Sequence, residues 1–139
     1  MNETTIKHLE MIQAVIARMA GNSFALKGWA VTVAGAVLAF GADRKDTAVA
    51  LLALVPAVVF WGLDGYYLAL ERRFRALYDH VRTSEAPPED GAFSMNIARY
   101  VASETVARAV FRPAVYPIYV ALILIAGSVA LASFLTGRG

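Results

Sequence analysis

The chain has no cysteine, which removes disulfide frameworks, thiolate metal sites and cysteine nucleophiles at once. Histidine is nearly as scarce. His8 and His80 are the only two, too few for a metal centre without further ligands. No glycine-rich phosphate loop, paired-histidine motif or nucleophile elbow occurs in the 139 residues. No set of residues supports an enzyme, and neither a cofactor nor a metal is implied. Charge is sparse as well: 17% of residues are charged against 58% hydrophobic. The mean hydropathy of +0.54 lies above that of soluble domains of this size.

What the sequence does have is apolar length, in runs at 29–42, 48–63 and 114–135. The last holds about twenty residues without a charge, enough for a helix to cross a hydrocarbon core of ~30 Å. The first two gain apolar length beyond their charged neighbours. Trp29, Trp61, Tyr66, Tyr67, Tyr116 and Tyr119 fall near the ends of these runs, where amphipathic rings favour the headgroup region. The expected architecture is an all-α membrane protein with transmembrane helices at 24–42, 47–66 and 114–135, in a single membrane domain. The first run starts too late, after an amphipathic stretch with acidic residues, to read as a cleavable signal peptide. A soluble bundle of buried helices is the alternative.

The basic residues give a direction. Of thirteen Lys and Arg, ten (Lys7, Arg18, Lys27, Arg72, Arg73, Arg75, Arg82, Arg99, Arg108 and Arg112) fall on the side of the N-terminus and of 67–112. Arg44, Lys45 and Arg138 fall on the other. The positive-inside rule therefore predicts a cytoplasmic N-terminus and long connection, with the C-terminus across the membrane.

The polar segments are patterned too. Leu9, Ile12, Ile16 and Met19 make a helical seam over 9–19, within a cytoplasmic helix predicted at 1–22. Leu70, Phe74, Leu77 and Val81 continue the second run as another. Folding the chain back at 43–46 pairs positions whose numbers sum to roughly 89. Met19 then faces Leu70, Ile16 Phe74, Ile12 Leu77 and Leu9 Val81. The spacing predicts a long antiparallel hairpin projecting a cytoplasmic helical stalk; an N-terminal helix lying flat in the interface is the other arrangement. The same register aligns Trp29 with Trp61 and places His8 and His80 as solvated residues near the stalk tip.

Gly21-Asn22-Ser23 reads as a kink or junction, with Asn22 or Ser23 able to cap a new helix. Residues 83–91, with Pro87-Pro88 and Gly91, read as a loop. Residues 94–111 read as a further cytoplasmic helix, ended by Arg112-Pro113. Gly28, Thr32 and Ala36, Gly35 and Ala39, and Ala126 and Ala130 recur every four residues, a spacing that permits close packing between spans.

Two candidate sites emerge. Asp64 is an acid within an apolar run, and the register brings Lys27 within a turn of it. The pair is either an interfacial ion pair or a gate charge lining an ion path. Arg72, Arg73, Arg75 and Arg82 cluster beside the expected cytoplasmic face. They can serve as topology signal and lipid contact, or clamp the phosphates of a nucleotide or oligonucleotide. Residues 66–112 carry seven basic and six acidic side chains, so the surplus there is small.

The strings Met11-Ile12-Gln13, Arg18-Met19-Ala20, Asn22-Ser23-Phe24, Leu26-Lys27-Gly28-Trp29 and Phe60-Trp61-Gly62-Leu63-Asp64 resemble a family of small bacterial inner-membrane proteins. Glu71-Arg72, Phe74-Arg75 and Leu77-Tyr78 extend the resemblance, which covers roughly residues 9–82. Some similar proteins accompany nucleotidyltransferase-like partners in antiphage defence as oligomeric channel effectors, as in Hailong-type systems. The resemblance implies a homo-oligomer, a tetramer being one arrangement, in the inner-membrane bilayer. It also implies a nucleotide-derived ligand made by the partner, with Arg72, Arg73, Arg75 and Arg82 at the signal and Lys27 and Asp64 at the gate. A non-conducting membrane anchor or accessory subunit for a soluble partner is the competing reading.

Overall fold

The computed structural model describes residues 1–84, 86 and 89–137, and everything regular in them is helix. Helix α1 runs from Glu3 to Arg44, 42 residues, or about 63 Å at ~1.5 Å per residue. The Asn2 side chain caps it, accepting from the Thr5 N–H at 2.8 Å. It ends at Lys45, in the left-handed region at φ 53°. Asp46 then caps α2 (Thr47–Leu52), accepting from the N–H groups of Ala48 and Val49 at 2.9 and 3.2 Å. Gly41 permits this tight reversal, because a Cβ there would meet the Ala50 nitrogen at 2.8 Å.

Ala53 separates α2 from α3 (Leu54–Thr83). The cause is Pro56, which offers no N–H to the Leu52 carbonyl and crowds it with its ring. The α2–α3 stretch runs back along α1. One cluster gathers Leu38 and Ala53, another Ala30, Ala34 and Ala57, and a third Leu9, Ile12, Leu77 and Val81 with Ile16 and Phe74 against them. Contacts thus advance in opposite senses along the two elements. Met95, Ile97 and Tyr100 cover the third cluster from outside.

Helix α5 (Tyr116–Gly137) packs Tyr119 and Leu122, with Val115 just before it, on the middle cluster and Ala126 on the first. Three stretches, Glu3–Arg44, Thr47–Thr83 and Tyr116–Gly137, are long and apolar enough to cross a membrane. Large apolar side chains such as Val55, Val58, Leu124 and Leu131 point outward from them, the arrangement of a bundle solvated by lipid. By length and composition these helices mark a membrane protein.

Several expectations give way here. Residues 21–23 do not interrupt α1. Ser23 turns its hydroxyl across to another helix instead of capping a new one. Residues 94–111 form no continuous helix but a 3-10 turn at Ala98–Tyr100 and the short α4, Val106–Val110. Asn96 and Thr105 restart the chain by accepting backbone N–H groups, from Ala98 at 3.0 Å and Arg108 at 3.3 Å, which competes with helix between them. His8 is not solvated: it is buried, with Nε2 2.8 Å from the Ser94 carbonyl oxygen and its ring edge-on to Phe93. Trp61 does not face Trp29, which is exposed, but stacks on Tyr119 at 6.3 Å. Pro87-Pro88 and Glu85 of the expected loop, and Arg138, lie outside the described residues.

Candidate functional site

An acid placed among apolar side chains must find donors from whatever helices reach it. Asp64, on α3, is fully buried and finds them on two other helices. From α1, Ser23 donates its hydroxyl to Oδ1, and Lys27 brings Nζ to 2.6 Å from Oδ2. From α5, the Tyr119 hydroxyl donates to Oδ2 at 3.0 Å. Lys27 also donates to Ser23 Oγ at 3.0 Å. Both oxygens of the carboxylate are satisfied, and α1, α3 and α5 are tied at one point.

The neighbours of this knot are apolar and closely fitted. Gly65 follows Asp64 and lets α4 approach, since a Cβ there would lie 3.2 Å from the Val110 Cα. Trp61 donates its indole N–H to the Val110 carbonyl oxygen at 2.8 Å and meets Phe111 edge-on. The site is therefore closely enclosed, and Lys27, 24% exposed, is its one member reaching toward the surface.

No family model, curated protein or solved structure matches the chain. The site must be read from its own chemistry.

The arginine run forms a second centre, beyond the knot on α3. Arg72 holds both oxygens of Glu104, at 2.7 and 3.1 Å, in the two-pronged geometry that suits guanidinium and carboxylate. Arg73 donates to the Glu104 main-chain oxygen at 2.9 Å, and Arg112 stands 3.6 Å from the same carboxylate. The hydrogen bonds from Arg72 hold the Glu104 carboxyl below the usual carboxylate range, with partial burial opposing and the charges of Arg72, Arg112 and Arg108 adding. Arg75 pairs with Glu71 one turn back at 2.7 Å. Arg82 reaches Asp79 at 3.4 Å, both exposed.

The two groups named from sequence are thus placed differently. Lys27 and Asp64 come together. Arg72 and Arg73 converge on Glu104, while Arg75 and Arg82 turn to acids on their own helix. Ser23, Tyr119, Glu104 and Arg112 are the partners that the sequence did not single out for these roles. Tyr119 is legible only as an interfacial aromatic and Ser23 only as a cap, because neither shows where α5 or α1 stands relative to Asp64. A groove of about 520 Å³ runs beside Arg75 between the two long helices, lined by Gln13, Ile16, Ala17, Ala20, Tyr78 and Asp79. Among the described residues no three His, Asp or Glu side chains converge as metal ligands.

Proposed function

We propose that the chain is an oligomeric effector of the bacterial inner membrane, an ion channel or membrane-disrupting protein controlled through its cytoplasmic helices. In this reading α1 and α3 form one long hairpin whose polar end is a cytoplasmic stalk. The N-terminus and residues 67–112 are cytoplasmic and the C-terminus periplasmic, as the excess of basic residues on one side favours.

The continuity of α1 carries the proposal. One unbroken helix joins the Leu9–Ile12 packing to the Ser23–Lys27 contact with Asp64 and then to the span. A helix without a break transmits displacement of the stalk to the membrane as a rod does. Three spans cannot enclose a pore, so conduction requires several copies. The face of α1 bearing Gly28, Thr32 and Ala36 is exposed and small enough for a neighbouring helix to approach. A nucleotide-derived signal from a nucleotidyltransferase partner would act by binding the open and closed states with different affinity. It would meet Arg75 and Arg82 on the exposed stalk first, and would compete with Glu104 for Arg72 and Arg73.

Recording currents from the purified oligomer in planar bilayers, with and without nucleotides, tests this. Discrete currents that change in Asp64→Asn support it; silence with every nucleotide tried sinks it. One observation favours a non-conducting anchor for a soluble partner instead. Asp64 and Lys27 saturate each other inside a single chain, and the exposed hydroxyls of Thr32 and Ser128 are bonded to their own helices, at 2.9 and 2.8 Å. Silence together with a soluble protein captured through the stalk would establish that reading.

A further inference from the structure

Around Glu104 the fold gathers four arginines, Arg72, Arg73, Arg108 and Arg112, against one carboxylate. Glu104 is claimed by Arg72 at 2.7 and 3.1 Å, which leaves Arg112 only a distant approach to it at 3.6 Å. The Nε–H of Arg112 is buried and has no acceptor among the described residues. A buried donor on a charged group is costly to leave unpaired, and the rest of the Arg112 side chain, 38% exposed, is the part that an outside acceptor reaches. The Arg108 side chain, one turn earlier and exposed, bonds just the Ser103 carbonyl oxygen among the described residues, at 3.2 Å.

The surroundings indicate which acceptor. Phe111 lies between the two arginines and is 69% exposed, although its ring also meets Trp61. Pro113 and then α5, the most apolar helix of the chain, follow directly. Tyr116 is exposed at the start of α5. Arginines beside an outward phenylalanine and tyrosine, at the foot of a spanning helix, form the pattern of a headgroup contact: cations at the phosphate layer and rings just beneath it.

We propose that Arg108 and Arg112 hold the phosphate of an anionic phospholipid headgroup at the rim of the bundle, and that Glu104 is the internal carboxylate competing for Arg112. The proposal rests on the reading that α5 spans the membrane from its cytoplasmic face. Guanidinium groups bind phosphate oxygens in the same forked geometry that Arg72 uses on Glu104. Lipid occupancy would therefore bear on the joint between α4 and α5, where Val110 is seated on Gly65 and on the Trp61 indole.

The test uses the full chain. Native mass spectrometry of detergent-solubilised protein titrated with phosphatidylglycerol or phosphatidylcholine gives the preference for the anionic lipid. The parent should prefer phosphatidylglycerol. Arg108→Gln should cut that preference about fivefold, and Arg108→Gln with Arg112→Gln about thirtyfold, at ~1 kcal/mol per charge. Glu104→Gln should raise it by freeing Arg112. Inorganic phosphate is the second arm: displacement of phosphatidylglycerol by millimolar phosphate, dependent on both arginines, would assign the same site to a soluble phosphate group. A double variant that stays helical and monodisperse and keeps the parental preference overturns the proposal; the exposed Arg108→Gln serves if the double variant misfolds. Failure of the parent to insert into nanodiscs at all would instead overturn the membrane reading beneath it.

Discussion

Asp64 and Glu104 are both carboxylates held by cations, and their surroundings make them different devices. Asp64 has no exposed surface, and its donors come from two other helices, α1 and α5. Glu104 keeps 20% of its side-chain surface and lies in an irregular connection, tethering it to α3 and to the foot of α5. Away from water an unsatisfied charge destabilises the fold, so each donor to Asp64 matters. At the rim, water and salt share the load, and the Glu104 pairs position a segment more than they stabilise one. The inner cluster is satisfied within the chain, whereas the outer one keeps a donor without an acceptor among the described residues.

The sharpest way to break the contrast is Lys27→Met, which strands the Asp64 charge. It should destabilise the bundle by about 3–5 kcal/mol in detergent unfolding, and Lys27→Met with Asp64→Leu should recover much of that loss. A double variant no more stable than the single one would show that the pair is not the reason for the effect. Tyr119→Phe removes one donor and leaves two, so a loss of about 1.5–3 kcal/mol is expected in the same assay. Gly65→Ala forces Val110 away and should cost about 1–3 kcal/mol, accompanied by a red shift of the Trp61 emission as its indole leaves Val110.

The outer cluster should respond less, and to pH. Glu104→Gln should cost no more than ~1 kcal/mol near neutrality. Because the folded carboxyl titrates lower than the unfolded one, its contribution is fully present above the ordinary value of 4.5 and is lost as pH falls through the lowered folded value. Melting temperatures of parent and variant should therefore differ at neutral pH and converge in acid; a constant difference would mean that Glu104 acts through shape alone. Arg82→Ala, at an exposed pair, should lie within about 0.5 kcal/mol of the parent.

How much of this was legible beforehand depends on the kind of signal. Leu9, Ile12, Leu77 and Val81 stand out by spacing, and they are the buried residues of one cluster. The spans stand out by length, because lipid tolerates no unsatisfied backbone and demands long apolar helix. The junction at 21–23 misleads because Gly, Asn and Ser each cost a helix no more than about 1 kcal/mol, and the helix on either side carries through. The segment 94–111 misleads in the opposite direction. Its apolar periodicity suits a helix, but Asn96, Thr105 and the arginines on Glu104 supply stronger local bonds. The break at Ala53 follows from Pro56 and could have been foreseen.

The sequence by itself determined that this chain is helical, that three stretches can cross a membrane, and that Asp64 needs a cation. Composition and period suffice for these, since each depends on residues near one another along the chain. Only the tertiary structure decided that Ser23 and Tyr119 complete the Asp64 network, that Glu104 occupies Arg72, and that Arg112 has a donor unpaired among the described residues. Those facts depend on how α5 is rotated and set in depth against α3. The irregular connection and side-chain packing fix that placement, and no local pattern encodes it.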